Sequence, residues 1–131
     1  MERLSLADAI REGSKTSAHV QFYFVRPRPA SEPFAFEACA LGAAAIGIGQ
    51  PELGLDETEG TYFDLFTGVW PELGNEGVEC PIPDCHHFIC DLYSCITHLN
   101  DDHNWTREAI ADWLDTITVQ IPATVHQEAS V

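Results

Sequence analysis

Apolar positions recur along this chain in two periods, and each period marks an element. Over residues 6–12, Leu6, Ala9 and Ile10 share one helical face. Ser5 stands as N-cap with Asp8 three residues on, and Gly13 is placed to end the helix. Residues 19–25 alternate instead, with Val20, Phe22 and Phe24 on one side, which predicts a strand. Arg26-Pro-Arg-Pro29 and Pro33 then interrupt regular structure. The most apolar stretch follows at 34–48, where small residues at Ala38, Gly42 and Ala45 let a neighbour approach closely. It predicts a buried helix over 35–47, ended by Gly47 and Gly49, with Cys39 as a small buried hydrophobe. Residues 62–70 return to a near-helical period rich in aromatics. They should pack on the 35–47 helix and stop at Pro71. A histidine-bearing helix is predicted over about 91–102, then a turn through Asn104 and Trp105. Thr106 caps a last helix over 107–117, with Ile110, Trp113, Leu114 and Ile117 at i, i+3, i+4 and i+7. The tail from 118 to 131 holds β-branched residues and Pro122 and reads as an extended arm. The tetrapeptide Pro-Glu-Leu-Gly occurs at 51–54 and 71–74, but without matching flanks it does not establish a duplication.

These elements predict an α+β fold: a mainly helical single domain with one short β element and a ββα-like Cys2His2 zinc knuckle followed by a helical hairpin. Along the chain this gives an N-terminal helical/β core over 1–77, the knuckle and hairpin over 78–117, and the tail over 118–131. With 131 residues and 45% apolar composition the chain can bury a real core. No apolar run approaches the length that spans a bilayer, and the first residues lack a signal-peptide pattern, so no membrane partner is expected. Five cysteines beside clustered histidines suit a reducing, cytoplasmic compartment and a metal better than a disulfide framework.

Charge narrows the function classes. Net charge is −15, and five of the six basic residues fall within residues 1–28 against three acids. From residue 29 onward, eighteen acids face the single Arg107, a balance of −17. Proteins that grip phosphates need clustered Lys and Arg, so this composition repels nucleic acid. Two local clusters merit scrutiny as binding elements. Glu52, Asp56, Glu57 and Glu59 form an acidic loop that lacks the alternating ligand spacing of an EF-hand and reads as solvated. Arg26 and Arg28 are candidate anchors for an acidic partner.

The sharpest chemistry is Cys80-Pro-Ile-Pro-Asp-Cys85, twelve residues, then His98-Leu-Asn-Asp-Asp-His103, a C-x4-C-x12-H-x4-H spacing. Zinc prefers four N/S ligands in a tetrahedron, and two thiolates on a knuckle can meet two imidazoles spaced along a helix. Ile89 and Cys95 occupy the two positions that a ββα finger fills with its small core. The wide knuckle leaves the ligand choice open, because Cys90, His86 or His87 could replace a member of the quartet.

His98-Leu-Asn-Asp-Asp-His103-Asn-Trp105-Thr-Arg-Glu108-Ala-Ile-Ala-Asp112-Trp113-Leu114 resembles a signature of small phage- and prophage-encoded proteins in which a Cys-Pro-x-Cys-type knuckle precedes it. Residues 7–13 and 38–44 are similar to the same group. The resemblance implies a phage origin and zinc binding, and carries no activity. It places the protein in the host cytoplasm or in a virion.

Four functions follow. The leading one is a non-enzymatic, zinc-stabilised accessory module acting by protein–protein contact, as a virion component or on a host protein, with no catalytic residue. Its surface would work through the acidic face and any exposed part of Trp70, Trp105 or Trp113. Its oligomeric state is not fixed by sequence. The second is an acidic mimic of nucleic acid, or a host-protein inhibitor, steered by charge. The third is an HNH-like nuclease built from His98, Asn100, Asp102 and His103, which would need an open metal position and more cationic help than Arg107. The fourth is a DNA-binding finger or helix-turn-helix. Its recognition helix is missing, since the segment from Thr118 to Val125 carries Pro122 and no basic residue.

Overall fold

The structure is a computed structural model and describes residues 4–21, 23–29, 31, 33–55, 62–82, 85 and 89–118. Helix α1 spans Leu6–Ser14, and the Ser5 hydroxyl accepts the Asp8 N–H at its N-terminus, as the capping pattern predicts. Three short strands follow: β1 (Ala18–His19), β2 (Val25–Pro27) and β3 (Phe36–Ala38). Helix α2 covers Ala40–Gly47, α3 covers Glu52–Leu55, and α4 covers Tyr62–Val69. A 3-10 turn at Pro71–Gly74 leads to β4 (Val78–Glu79) and β5 (Ile89–Cys90). Helices α5 (Leu92–Asp101) and α6 (Arg107–Thr118) complete the described fold. This is an α+β architecture, and no described helix is long and apolar enough to cross a membrane.

The β content exceeds the single short element that the periodicity predicts. β3 is the centre of a three-stranded sheet, parallel to β1 and antiparallel to β2. The predicted 35–47 helix therefore begins only at Ala40. Residues 36–38 pair as a strand because their backbone groups serve both β1 and β2, so tertiary pairing overrides the apolar run. Of the predicted 19–25 strand only His19 and Val25 lie in strands, at the end of β1 and the start of β2, because these pair on opposite edges of β3. Residues 20, 21, 23 and 24 belong to the connection between them, with Phe22 outside the described residues. β4 and β5 form an antiparallel hairpin, which gives the ββα order expected around the knuckle. The predicted hairpin partner of α5 turns out to lean elsewhere: α6 packs chiefly on α1. Likewise α4 rests on α3 and the 3-10 turn rather than on α2.

Gly13 does not end α1. It lies inside the helix, buried, because α2 crosses there at backbone contact and a Cβ would land on the Ala43 carbonyl. Gly47 answers from α2, where a Cβ would meet the Ala9 carbonyl. Gly13→Ala is therefore expected to force the helices apart and to lower unfolding free energy in denaturant by about 1–3 kcal/mol. Ala9, Ala40, Ala44 and Ala45 join a single core with Ile10, Leu41, Phe66, Leu92, Ile96, Leu99, Ile110 and Leu114. Trp70 belongs to that core and donates its indole N–H to the Leu4 carbonyl at 3.2 Å, while Trp105 and Trp113 pack against the core half-buried. On the outside, Arg11 of α1 bridges Asp112 at 2.8 Å and Asp115 at 2.6 Å on α6, and these carboxylates raise its guanidinium pKa.

Candidate metal centre

Four donors converge where the hairpin meets α5. Cys80 directly follows β4, and Cys85 sits on a turn closed by its own N–H bonding the Ile82 carbonyl at 3.0 Å. His98 lies in the last turn of α5, whose N-terminus is capped by the Asp91 carboxylate accepting the Ser94 N–H at 2.7 Å. A spacing of five residues does not by itself bring His103 onto the face of His98, because neighbours on a helix lie three or four apart. The helix end solves this. Both Asp102 and His103 N–H groups bond the His98 carbonyl, at 2.9 and 3.3 Å, and Asn104 takes a left-handed φ of 54°. The chain thereby curls under its own helix and returns the second imidazole to the first.

One donor atom from each of Cys80, Cys85, His98 and His103 lies within 4.8 Å of all the others, so this group could hold a metal ion. Cys85 Sγ is 3.3 Å from His98 Nε2, and His103 Nε2 is 3.1 Å from the same nitrogen. The two imidazole rings stand edge to face, with centroids 4.6 Å apart. Asp102 Oδ2 lies 2.8 Å from His98 Nδ1, on the far side of the ring. That contact directs the Nδ1 hydrogen to the carboxylate and leaves the Nε2 lone pair facing the cluster. The place of Asp102 four residues after His98, on one helix face, is the sequence signal for this contact. Cys80 is buried and Cys85 and His98 are half-buried, which limits water around the site. His86 and His87, the other ligand candidates, lie outside the described residues, as does the side chain of Cys90.

The remaining candidates separate from this cluster. Asn100 is fully buried and faces the sheet. Its Oδ1 accepts the Ala40 N–H at 3.2 Å and lies 2.8 Å from His19 Nε2, while its Nδ2 donates to the Val20 carbonyl. Asn100 thus caps α2, a service that Cys39 at the N-cap position does not perform with its own side chain. Burial pushes the Cys39 thiol up to about 12, in keeping with a packing role. Arg107 is 6% exposed and donates to Ser17 Oγ and the Ser17 carbonyl, each at 2.8 Å. Desolvation lowers its pKa. Neither role is visible from the sequence, because Asn and Arg are surface residues by default. Arg26 pairs with Glu37 and covers the Tyr23 ring at 4.1 Å, and Arg28 Nε lies 3.8 Å from the same carboxylate. Both anchor candidates are therefore engaged within the chain. Of the acidic loop, Glu52 is exposed on α3, and Asp56, Glu57 and Glu59 lie outside the described residues.

Comparison with protein-family models, with curated proteins and with solved structures finds no match to this chain.

Proposed function

We propose that Cys80, Cys85, His98 and His103 bind one structural Zn2+ and that the chain acts as a non-enzymatic module recognising another protein. The observation that carries the metal assignment is the closure of the donor set. A tetrahedron with Zn–S of about 2.3 Å and Zn–N of about 2.0 Å has edges of roughly 3.3–3.8 Å, close to the spacings among Cys85, His98 and His103. Two thiolates and two imidazoles favour zinc over hard cations, and four protein ligands leave no position for a reacting water. The nuclease alternative is weakened because Asn100 and Arg107 have their hydrogen-bonding groups engaged inside the core. Nucleic-acid binding is disfavoured by the −15 net charge. A protein partner then remains the best-supported target, and assignment of that partner to a phage particle or a host protein rests on the sequence resemblance.

Elemental analysis of protein purified without added metal is expected to give one zinc per chain. Acid should release it, because thiolate and imidazole ligands bind only when deprotonated. A preparation that is folded by circular dichroism yet binds no zinc on titration would remove the assignment.

A further inference from the structure

A cavity of about 220 Å³ opens beside α5, with none of the four metal-site donors in its lining. Its walls are Tyr23 and Phe24 from the β1–β2 connection, Cys39 at the entry to α2, and Tyr93, Thr97 and Asp101 from α5. The last three sit at i, i+4 and i+8, so they line one face of that helix. We propose that this cleft takes a lysine-type side chain, an alkyl stem ending in an ammonium, presented by a basic partner. The identity of the occupant as part of a protein rests on the protein-binding reading above.

The chemistry of the walls selects that group. Phe24 and Tyr93 lie 6.0 Å apart at 36°, and Phe63 stands perpendicular to Tyr93 with centroids 5.2 Å apart, which helps to hold that ring in place. Aromatic faces attract cations, and they do so more strongly where water is thinned. Asp101 supplies the countercharge, and Asn100 Nδ2 donates to its Oδ1 at 2.8 Å, which orients the carboxylate. Cys39 stays an uncharged floor because burial holds its thiol protonated. Burial likewise raises the Tyr93 hydroxyl. The cavity falls below the ~300–1,000 Å³ of typical small-molecule sites, which suits one side chain better than a free ligand. Tyr23 is 48% exposed at the mouth and already carries a guanidinium, that of Arg26, whose charge Glu37 balances. The chain as a whole carries a net charge of −15, which would draw a basic partner towards it.

The test is an NMR titration of the full chain with N-acetyl-lysine methylamide, its norleucine counterpart and butylamine, following the Tyr23 and Tyr93 ring signals. The lysine probe is expected to shift both rings saturably, and the norleucine probe to leave them in place. Asp101→Asn should weaken the lysine probe about tenfold. Thr97→Lys, at a half-buried helical position, should abolish binding by placing the chain's own ammonium in the cleft, with folding verified by circular dichroism. Equal shifts from norleucine, tighter binding of butylamine than of the lysine probe, or no shift at all would each overturn the proposal. Retention of a partner from lysate without any lysine-probe response overturns the cleft alone. A response to the probe with no partner retained overturns the protein-binding reading alone.

Discussion

Cys85→Ser or His98→Ala is expected to lower the unfolding free energy of the zinc-loaded chain by at least about 3 kcal/mol, with backbone protection lost first across residues 78–101. The reason lies in how little else holds the hairpin. β4 and β5 are each two residues long, and an isolated two-stranded hairpin is marginal even at greater length. Two of the four donors lie on the hairpin and its loop, so a metal ion would tie it to α5 directly. The damage should then spread. Leu92, Cys95, Ile96 and Leu99 of α5 are fully buried in the same core as Leu41, Phe66 and Leu114, and Asn100 of that helix caps α2. The loss that begins over 78–101 is therefore expected to extend into the shared core and to appear as a lowered unfolding transition of the chain. Asp102→Asn keeps all four ligands and should cost about 10–100-fold in metal affinity with a much smaller loss of stability. Hydrogen exchange that is unchanged over 78–101 in both ligand variants would sink the account.

Arg107→Ala should be the most damaging substitution away from the four clustered donors, at about 3–5 kcal/mol in chemical denaturation. The guanidinium reaches from the first turn of α6 into the gap between the end of α1 and the sheet. It donates to Ser17 Oγ, to the Ser17 carbonyl and, at 3.3 and 3.4 Å, to the carbonyls of Ala18 and Ala38. Truncation takes the shortest donor from the Ser17 carbonyl, while the Ala38 carbonyl keeps the Val20 N–H at 3.1 Å and the Ser17 hydroxyl keeps the Gly13 carbonyl at 2.7 Å. A buried acceptor left unpaired costs about 1–3 kcal/mol, and the emptied volume adds to it. Arg107→Lys should recover little, because an ammonium cannot spread its donors across carbonyls as a planar fork does. Recovery of full stability by lysine would mean that charge alone, and not the geometry of five donors, matters there.

The parts of this fold that sequence reveals are those set by local rules. Ser5 and Thr106 mark helix starts because a hydroxyl satisfies N–H groups of the first turn, at Asp8 and at Ala109. Ile110 and Leu114 announce their burial by spacing alone. The four metal-site residues were legible because the chemistry of the group demands both their types and their order. What stayed hidden depends on distant partners. Phe36–Ala38 looks like helix until two other strands compete for its backbone. Gly13 looks like a helix stop until a second helix is seen to pass against it. Asn100 and Arg107 carry no periodic signal, since a buried polar side chain is justified only by acceptors and donors supplied from elsewhere in the chain. The aromatic cleft joins a loop residue, a helix entry and a helix face, a combination no local pattern encodes.

The contact between α1 and α2 has a further consequence for how this sequence can drift. At Gly13 and Gly47 a Cβ would land on the carbonyls of Ala43 and Ala9, so any change at either glycine adds atoms where none fit. Compensation by a shrinking neighbour is closed off, because the neighbours have almost nothing left to lose. Such a crossing is frozen from both sides, and variation is absorbed instead where α1 meets α6, at Arg11 and its carboxylate partners Asp112 and Asp115.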